Sequence, residues 1–509
     1  MSNPLGAVPA RPAAPEPAPA HPNEDALLET LGYKRQLDRG VGRFGSFSVA
    51  FALISVTTAV YTTFGLGLST AGPSFIWTFP IAIVILGLWV LLAADLSSKL
   101  PLAGYAYQWT SRLVSPHLGW FTGFFGVLGF VTGMTGVSYT LAGYLAGLLG
   151  WSLSVPGTVA LTVVILAVAA AVNVLGVRVV TRLNNLGVTL ELIVALGGTV
   201  AIAAAAFFIS HNAQPFSFLF SRGVVPGDGF GLAWLTSTVT GLFGLIGVEA
   251  SADISEETKR ATSTVPRMMF LALGTACVVE FIMYGISLLA IQDVAKATAS
   301  PAPLIYVMQT QLGPVFTDVF IAFALTNLLL CVLANLLVAG RLIFSMGRDD
   351  ILPKSSWFAK IGENKVPRNA VFTCGLIAVI FVLTALFSET VLSYILGVST
   401  ITFFMVYLLT AGGLLIRGSK GFPADTPGGF TLGRLRRPVW VLGFLAFFVV
   451  VVAFSTIPGF ENNGIALIVF IAIAAVWYFI GVRPRLRRGQ AGPPTMRVPV
   501  VRDTNAQGR

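Results

Sequence analysis

Three glutamates stand in stretches that are otherwise apolar: Glu191, Glu249 and Glu280. A carboxyl buried among membrane helices is costly and by default marks the path of an ion, a proton or a substrate, so each is a candidate coupling or gating residue. For Glu191 and Glu280 the plainer alternative is an acid near the interface or hydrogen-bonded to a neighbouring helix. Glu249 lies in Thr238–Pro266, where Gly241, Gly244 and Gly247 puncture a hydrophobic run just before the charged string Ser255–Arg260. Glycine lets a helix unwind, and unwound backbone is tolerated at membrane depth only where it lines a cavity or meets a ligand. The competing reading is close helix packing through small residues. Other chemistries lack their parts. Cys277, Cys331 and Cys374 are isolated in apolar runs, and His21, His117 and His211 are scattered over tail and loops. No disulfide framework, metal site or catalytic relay is expected from them, so the chain reads as no enzyme and needs no cofactor. A phosphate-binding Gly-x-x-x-x-Gly-Lys loop is also missing, which excludes ATP as the driver.

The elements that position these acids are membrane spans. Of 509 residues, 55% are hydrophobic and 11% charged, against about 25% charged in soluble proteins, and the mean hydropathy is +0.82. Twelve apolar runs long enough to cross a bilayer lie near 46–68, 75–97, 118–148, 155–175, 186–209, 231–252, 268–291, 315–340, 370–387, 390–416, 438–456 and 463–482. With these bounds, all of the 32 Lys and Arg residues except Arg222 and Lys296 fall on one side. The positive-inside rule then makes both termini cytoplasmic. The net charge of +10 is thus topological and does not point to nucleic acid. Residues 1–43 read as a cytoplasmic tail, disordered over its Pro/Ala-rich part and basic before the first span. Residues 44–483 read as the transporter domain and 484–509 as a cytoplasmic C-terminal tail.

The first span, Phe51–Pro73, and the sixth, Gly241–Glu257, both interrupt their apolar run with small or hydroxyl residues, and they lie five spans apart. An odd offset inverts the second unit relative to the first, the arrangement in which two repeats sandwich a site near the midplane. Pro101–Trp109 adds a Pro-x-x-Gly turn with aromatics, and Arg341–Pro353 adds a charged segment after the eighth span. Read alone, both are interfacial anchors.

Taken in order, Phe47–Pro73 with its Ser-Thr-Ala-Gly-Pro ending, Pro101–Trp109, Gly247–Glu249, Ser255–Lys259 with Val265–Arg267, and Arg341–Pro353 resemble the amino acid–polyamine–organocation superfamily. Within it they look most like the amino acid/choline branch, over about residues 40–485. The resemblance implies an all-α membrane protein of twelve helices: a 5+5 inverted repeat (about 46–209 and 231–416, a LeuT-like fold) plus two C-terminal helices (438–482). It also implies that helices 1 and 6 are unwound and hold substrate between them. On this chain the carboxylate loop falls on Thr57, Thr58 and Ala59 beside Ser55, a departure from the glycine-rich loop common in the superfamily. The gating aromatic falls on Phe243, and amine-side carbonyls on Phe243, Gly244, Leu245 and Ile246. The pocket's far end is expected from Gly129, Phe130, Gly133 and Met134, with Asn335, Ser393 and Thr400. A half-helix N-terminus suits an anion and a half-helix C-terminus an ammonium, so a zwitterion bridges the two.

These residues lead to a secondary active importer in the cell membrane, taking a small neutral or ω-amino acid. Its coupling ion is H+ or Na+, with the proton favoured and Glu249 the first candidate to carry it. Its partners are that substrate and the lipid bilayer; the sequence leaves the oligomeric state open. A choline, ethanolamine or polyamine permease of the same fold is the alternative, with an aromatic cage replacing the carboxylate loop. Asp253, Glu256, Glu257, Lys259 and Arg260 are expected in a solvated inner loop, paired with Arg178, Arg182 or Arg348.

Overall fold

The computed structural model describes residues 24–300, 302–418, 422–425, 428–456 and 461–496, with the side chains of 389–396, 461–462 and 496 outside the description. Regular structure among these residues is helical throughout, apart from one isolated parallel bridge between Val41 and Thr258. Among the described residues, eleven stretches are long and apolar enough to cross a bilayer. The first, Arg43–Lys99, spans 57 residues. At about 1.5 Å per residue, a hydrocarbon core of about 30 Å takes about 20 of them. It is divided into α1 (Arg43–Ile54), α2 (Val56–Ala71), a tight turn over Gly72–Thr78, and α3 (Phe79–Lys99).

The chain continues through α4 (Tyr105–Leu113), α5 (Pro116–Leu148), α6 (Val155–Val174) and α7 (Val177–Ala203). Then come α8 (Thr238–Leu245), α9 (Ala250–Asp253), α10 (Ala261–Leu289), α11 (Pro314–Arg348), α12 (Arg368–Leu383), α13 (Glu389–Arg417), α14 (Arg436–Thr456) and α15 (Glu461–Trp477). Long helices follow from uninterrupted apolar runs whose backbone groups must be satisfied within the segment. The apolar windows place most ends within a few residues. α7 begins at Val177, well before the expected 186, because its first turns carry Arg178, Arg182, Asn184 and Asn185. α11 likewise runs on to Arg348. Polar helix ends fall outside a hydrophobicity window while the hydrogen-bond ladder continues through them.

Two helices break in mid-span. Between α1 and α2, Ser55 adopts a left-handed backbone with φ of 47°, and its hydroxyl meets Thr58 Oγ1 at 2.7 Å. α8 ends where Ile246 turns extended (φ −69°, ψ 143°), and Gly247 follows at φ +115°. A side chain at that position would be strained, and its Cβ would fall 2.0 Å from the Leu53 side chain. Glycine is required here by backbone and by space. α1 packs against α7, α10 and α11; α8 packs against α2 and α3; α5 sits between α11 and α13. Both breaks are thereby enclosed, and one continuous apolar core surrounds them.

Residues 24–43, expected in the tail, are folded. Glu24–Thr30 is a helix, and Leu28, Tyr33, Leu37 and Val41 are buried. Residues 1–23 and 497–509, the outer parts of the expected tails, lie outside the described residues.

Candidate functional site

Both helix breaks open onto one cavity of about 60 Å³. From α1 and α2 it receives Leu53, Ile54, Thr58 and Ala59, and from the α8 break Phe243 and Ile246; α5 adds Gly133 and Val137, α11 Cys331 and Asn335, and α13 Ser399, Thr400 and Phe403. Of the expected binding residues, Thr58, Ala59, Gly133, Phe243, Ile246, Asn335 and Thr400 are therefore brought together. The amide of Asn335 is tied to its own helix, donating to Cys331 O at 2.9 Å. Gly129 lies one turn from the cavity wall and accepts from Ser399 Oγ at 3.3 Å. Phe130 is fully buried and stacks edge-on with Phe403 at 4.9 Å. It holds a lining aromatic in place and is not itself among the lining residues. Met134 is likewise buried behind the wall, and the side chain of Ser393 lies outside the described residues.

The break in the first span is tighter than the expected loop. It occupies Ser55 alone, and Thr57, Thr58 and Ala59 form the first turn of α2, with Ala59 N–H donating to Ser55 O at 2.9 Å. The reason is local: a single left-handed residue suffices to end one helix and start the next. Helix N-termini present unpaired N–H groups and a partial positive charge. Here Glu191 of α7 supplies an acceptor, taking the Thr57 N–H at 3.0 Å and lying 3.4 Å from Ser55 Oγ. Asn327 of α11 reaches Thr57 Oγ1 at 3.4 Å.

The other two acids differ. Glu249, fully buried beyond the α8 break, accepts from Tyr407 Oη at 2.7 Å and from Trp89 Nε1 at 3.3 Å. Those two rings stack 3.9 Å apart. Glu280 of α10 is also fully buried, but neither of its oxygens has a hydrogen-bond partner among the described residues. Its Oε2 lies 2.5 Å from where a Cβ on Gly244 would stand.

On the basic face of the molecule Lys259 and Arg260 of the expected solvated loop are exposed, but its acids form a buried lock. Asp253, Glu256 and Glu257 are almost fully excluded from solvent. Arg341, itself fully buried, forks onto Glu257 with two contacts of 3.0 Å. Arg348 forks onto Glu256 at 2.7 and 2.9 Å. The carboxylates also take backbone N–H groups from the Pro101–Trp109 turn, Ala103 on Glu256 and Gly104 on Asp253. Asp349 collects Tyr33, Tyr107 and Gln108, and Arg348 stacks over the Tyr33 ring at 3.7 Å. Burial, and then the Asp349 carboxylate, hold the Tyr33 hydroxyl well above the ordinary tyrosine range. Burial also pushes Glu257 upward, opposed by Arg341.

The expected pairing with Arg348 is present. Arg178 pairs with Asp38 instead, at 2.7 Å on the surface. Arg341 was legible only as an interfacial anchor, because spacing alone does not reveal that its helix carries it beneath the Ser255–Glu257 turn. Leu53, Cys331, Ser399 and Phe403 had no polar or glycine signature strong enough to single them out, although Ser399 adjoins Thr400 in an apolar run.

The family model described as amino acid permease matches residues 44–480. An amino-acid permease BAT1 homolog of Oryza sativa subsp. japonica is 26% identical over 446 residues, covering 80% of this chain and 83% of its own. The branched-chain amino acid permease BcaP of Lactococcus lactis subsp. cremoris is 25% identical, covering 73% of this chain and 81% of its own. A thiamine transporter, thi9, of Schizosaccharomyces pombe is 22% identical, over 82% of this chain and 78% of its own. Matched from the start of α1 into the last spanning stretch, this multi-pass membrane protein belongs to the amino acid permease family.

Proposed function

We propose that this permease imports a small neutral or ω-amino acid across the cell membrane by alternating access, with the substrate held between the two helix breaks. The observation that carries the reading is the single cavity lined from both breaks, Thr58 and Ala59 on one side and Phe243 and Ile246 on the other. The α2 N-terminus is the anion side, and the last-turn carbonyls of α8 are the ammonium side. In this reading Arg43–Lys99 crosses the membrane twice, giving twelve spans. They form inverted repeats at about 46–209 and 231–416 with helices 438–482 appended, and both termini are cytoplasmic by the distribution of Lys and Arg. The amino-acid permeases among the relatives support an amino acid as substrate.

Coupling is assigned to a proton, with Na+ as the alternative ion. Glu191 is the acid whose position best suits it, because its carboxylate caps the α1–α2 break. Protonation removes the charge that holds Thr57 N–H, so the break is loosened in step with proton arrival. Glu249 is the second candidate; its two donors tie α3 and α13 to the α8 break. A choline, ethanolamine or polyamine permease, to which the thiamine transporter among the relatives is nearest in chemistry, remains the alternative. The cavity has two aromatic walls, Phe243 and Phe403, where a quaternary ammonium favours an aromatic cage.

Proteoliposome uptake tests the reading: amino acids, GABA, choline and putrescine are offered with proton and sodium gradients imposed separately. Accumulation of an amino acid driven by the proton gradient is expected, with the drive lost in Glu191→Gln. Accumulation of choline or putrescine alone would replace the amino-acid reading. No accumulation of any of them by folded protein would end the importer reading.

A further inference from the structure

We infer that Glu280 is the acid of the ammonium subsite, neutral while that subsite lacks a positive group and ionised when the substrate's ammonium arrives. The inference rests on the permease reading above and adds a residue and a proton step to it.

Glu280 stands at the contact of the two broken helices. The last turn of α8 (Thr238–Leu245) carries Gly244, and the point where its Cβ would lie is 2.5 Å from Glu280 Oε2 and 3.2 Å from the Ala59 methyl carbon. The absence of a side chain at Gly244 is what lets a carboxyl on α10 reach this contact. Ala59, which flanks it, also lines the cavity. The carbonyls of the last α8 turn have no intrahelical donors and carry the negative end of the helix dipole.

The neighbours supply no compensating charge. Among the helices packed against α10, α7 brings Glu191, which is another acid. Cys277 and Tyr284 flank Glu280 on its own helix, and the Tyr284 hydroxyl is engaged with Thr63 of α2 at 2.7 Å. A fully buried carboxylate with no donor among the described residues and a second acid, Glu191, as its charged neighbour is strongly disfavoured as the anion. The group therefore holds its proton. An ammonium at the α8 carbonyls reverses the balance: the O–H bond of Glu280 breaks, the proton leaves to solvent, and the carboxylate pairs with the ammonium. By linkage, substrate binding and proton release at this residue are then the same event.

The test uses the full-length protein in nanodiscs and an amino acid identified by the uptake panel. Proton release on saturation is measured with a pH indicator in weak buffer, for the wild type and for Glu280→Gln. The wild type is expected to release about one more proton per bound substrate than the variant. Infrared difference spectra of the wild type alone give a second readout that does not depend on the variant folding. The protonated-carboxyl C=O band is expected to disappear on binding the amino acid and to persist with its deaminated analogue. Equal proton counts in the two proteins, or a carboxyl band unchanged by the amino acid, overturn the role of Glu280 while leaving transport intact. Failure of every panel compound to bind overturns the permease reading, and this inference with it.

Discussion

At the basic face, Asp253, Glu256, Glu257 and Asp349 are buried about as thoroughly as Glu280 is within the apolar helix α10, yet their surroundings are opposite. Each acid of the basic face takes at least one donor, and two of them take forked guanidinium groups. In the interior, Glu191 and Glu249 each have two donors within reach, and Glu280 has none among the described residues. A buried carboxylate with a forked arginine is a fixed charge, and it holds helices together when both partners are present. A buried carboxyl without a donor has no fixed partner to give up, and it becomes charged only when a cation reaches it. The basic face uses acids as fasteners, whereas in the interior one acid, Glu280, is left without a fastener among the described residues.

The sharpest way to break this comparison is at the lock. Arg341→Ala strands Glu257 in a dry site and is expected to cost about 3–5 kcal/mol, read as a fall in thermal stability in detergent. A melt like the wild type's would mean that the forked pair fastens nothing. Gly247→Ala comes next. It forces a side chain onto a backbone at φ +115° and into Leu53, at about 1–3 kcal/mol. Uptake should be lost while the protein still elutes as a folded species, and full uptake would show that the α8 break tolerates a side chain.

Tyr407→Phe removes the shorter of the two bonds to Glu249, an effect of about 1–2 kcal/mol in the same melt. Comparable stability in Tyr407→Phe and wild type would place Glu249 with Glu280 as an acid without a fastener. Glu280→Gln should change the melt by less than about 1 kcal/mol, since no hydrogen bond is broken. A large loss would reveal a structural partner. Arg178→Ala, which removes a pair whose arginine is 65% exposed, should be smaller still, at most about 1 kcal/mol and weaker in high salt.

Much of the architecture was legible in the chain because a bilayer is a demanding solvent. Apolar runs of sufficient length must be helices, and Gly241, Gly244 and Gly247 beside Glu249 located the α8 break. The same reading misjudged Asp253, Glu256 and Glu257 as solvated, since a run of charges after an apolar span looks identical whether water or arginine meets it. It put an unwound loop at Thr57–Ala59, where the chain is already helical and only Ser55 is left-handed, because one left-handed serine leaves no compositional trace.

The sequence alone therefore pointed to the class of the protein, to most of its long apolar helices and to the three glutamates within them, all of which depend on local composition and order along the chain. Only the tertiary structure decided that Glu191 caps Thr57, that Glu249 is held by Tyr407 and Trp89, and that Glu280 has neither kind of support. Hydrogen-bond partners for these acids lie more than a hundred residues away in the chain. The chemistry of a buried carboxyl is set by those distant groups, so it exists only once the helices have packed.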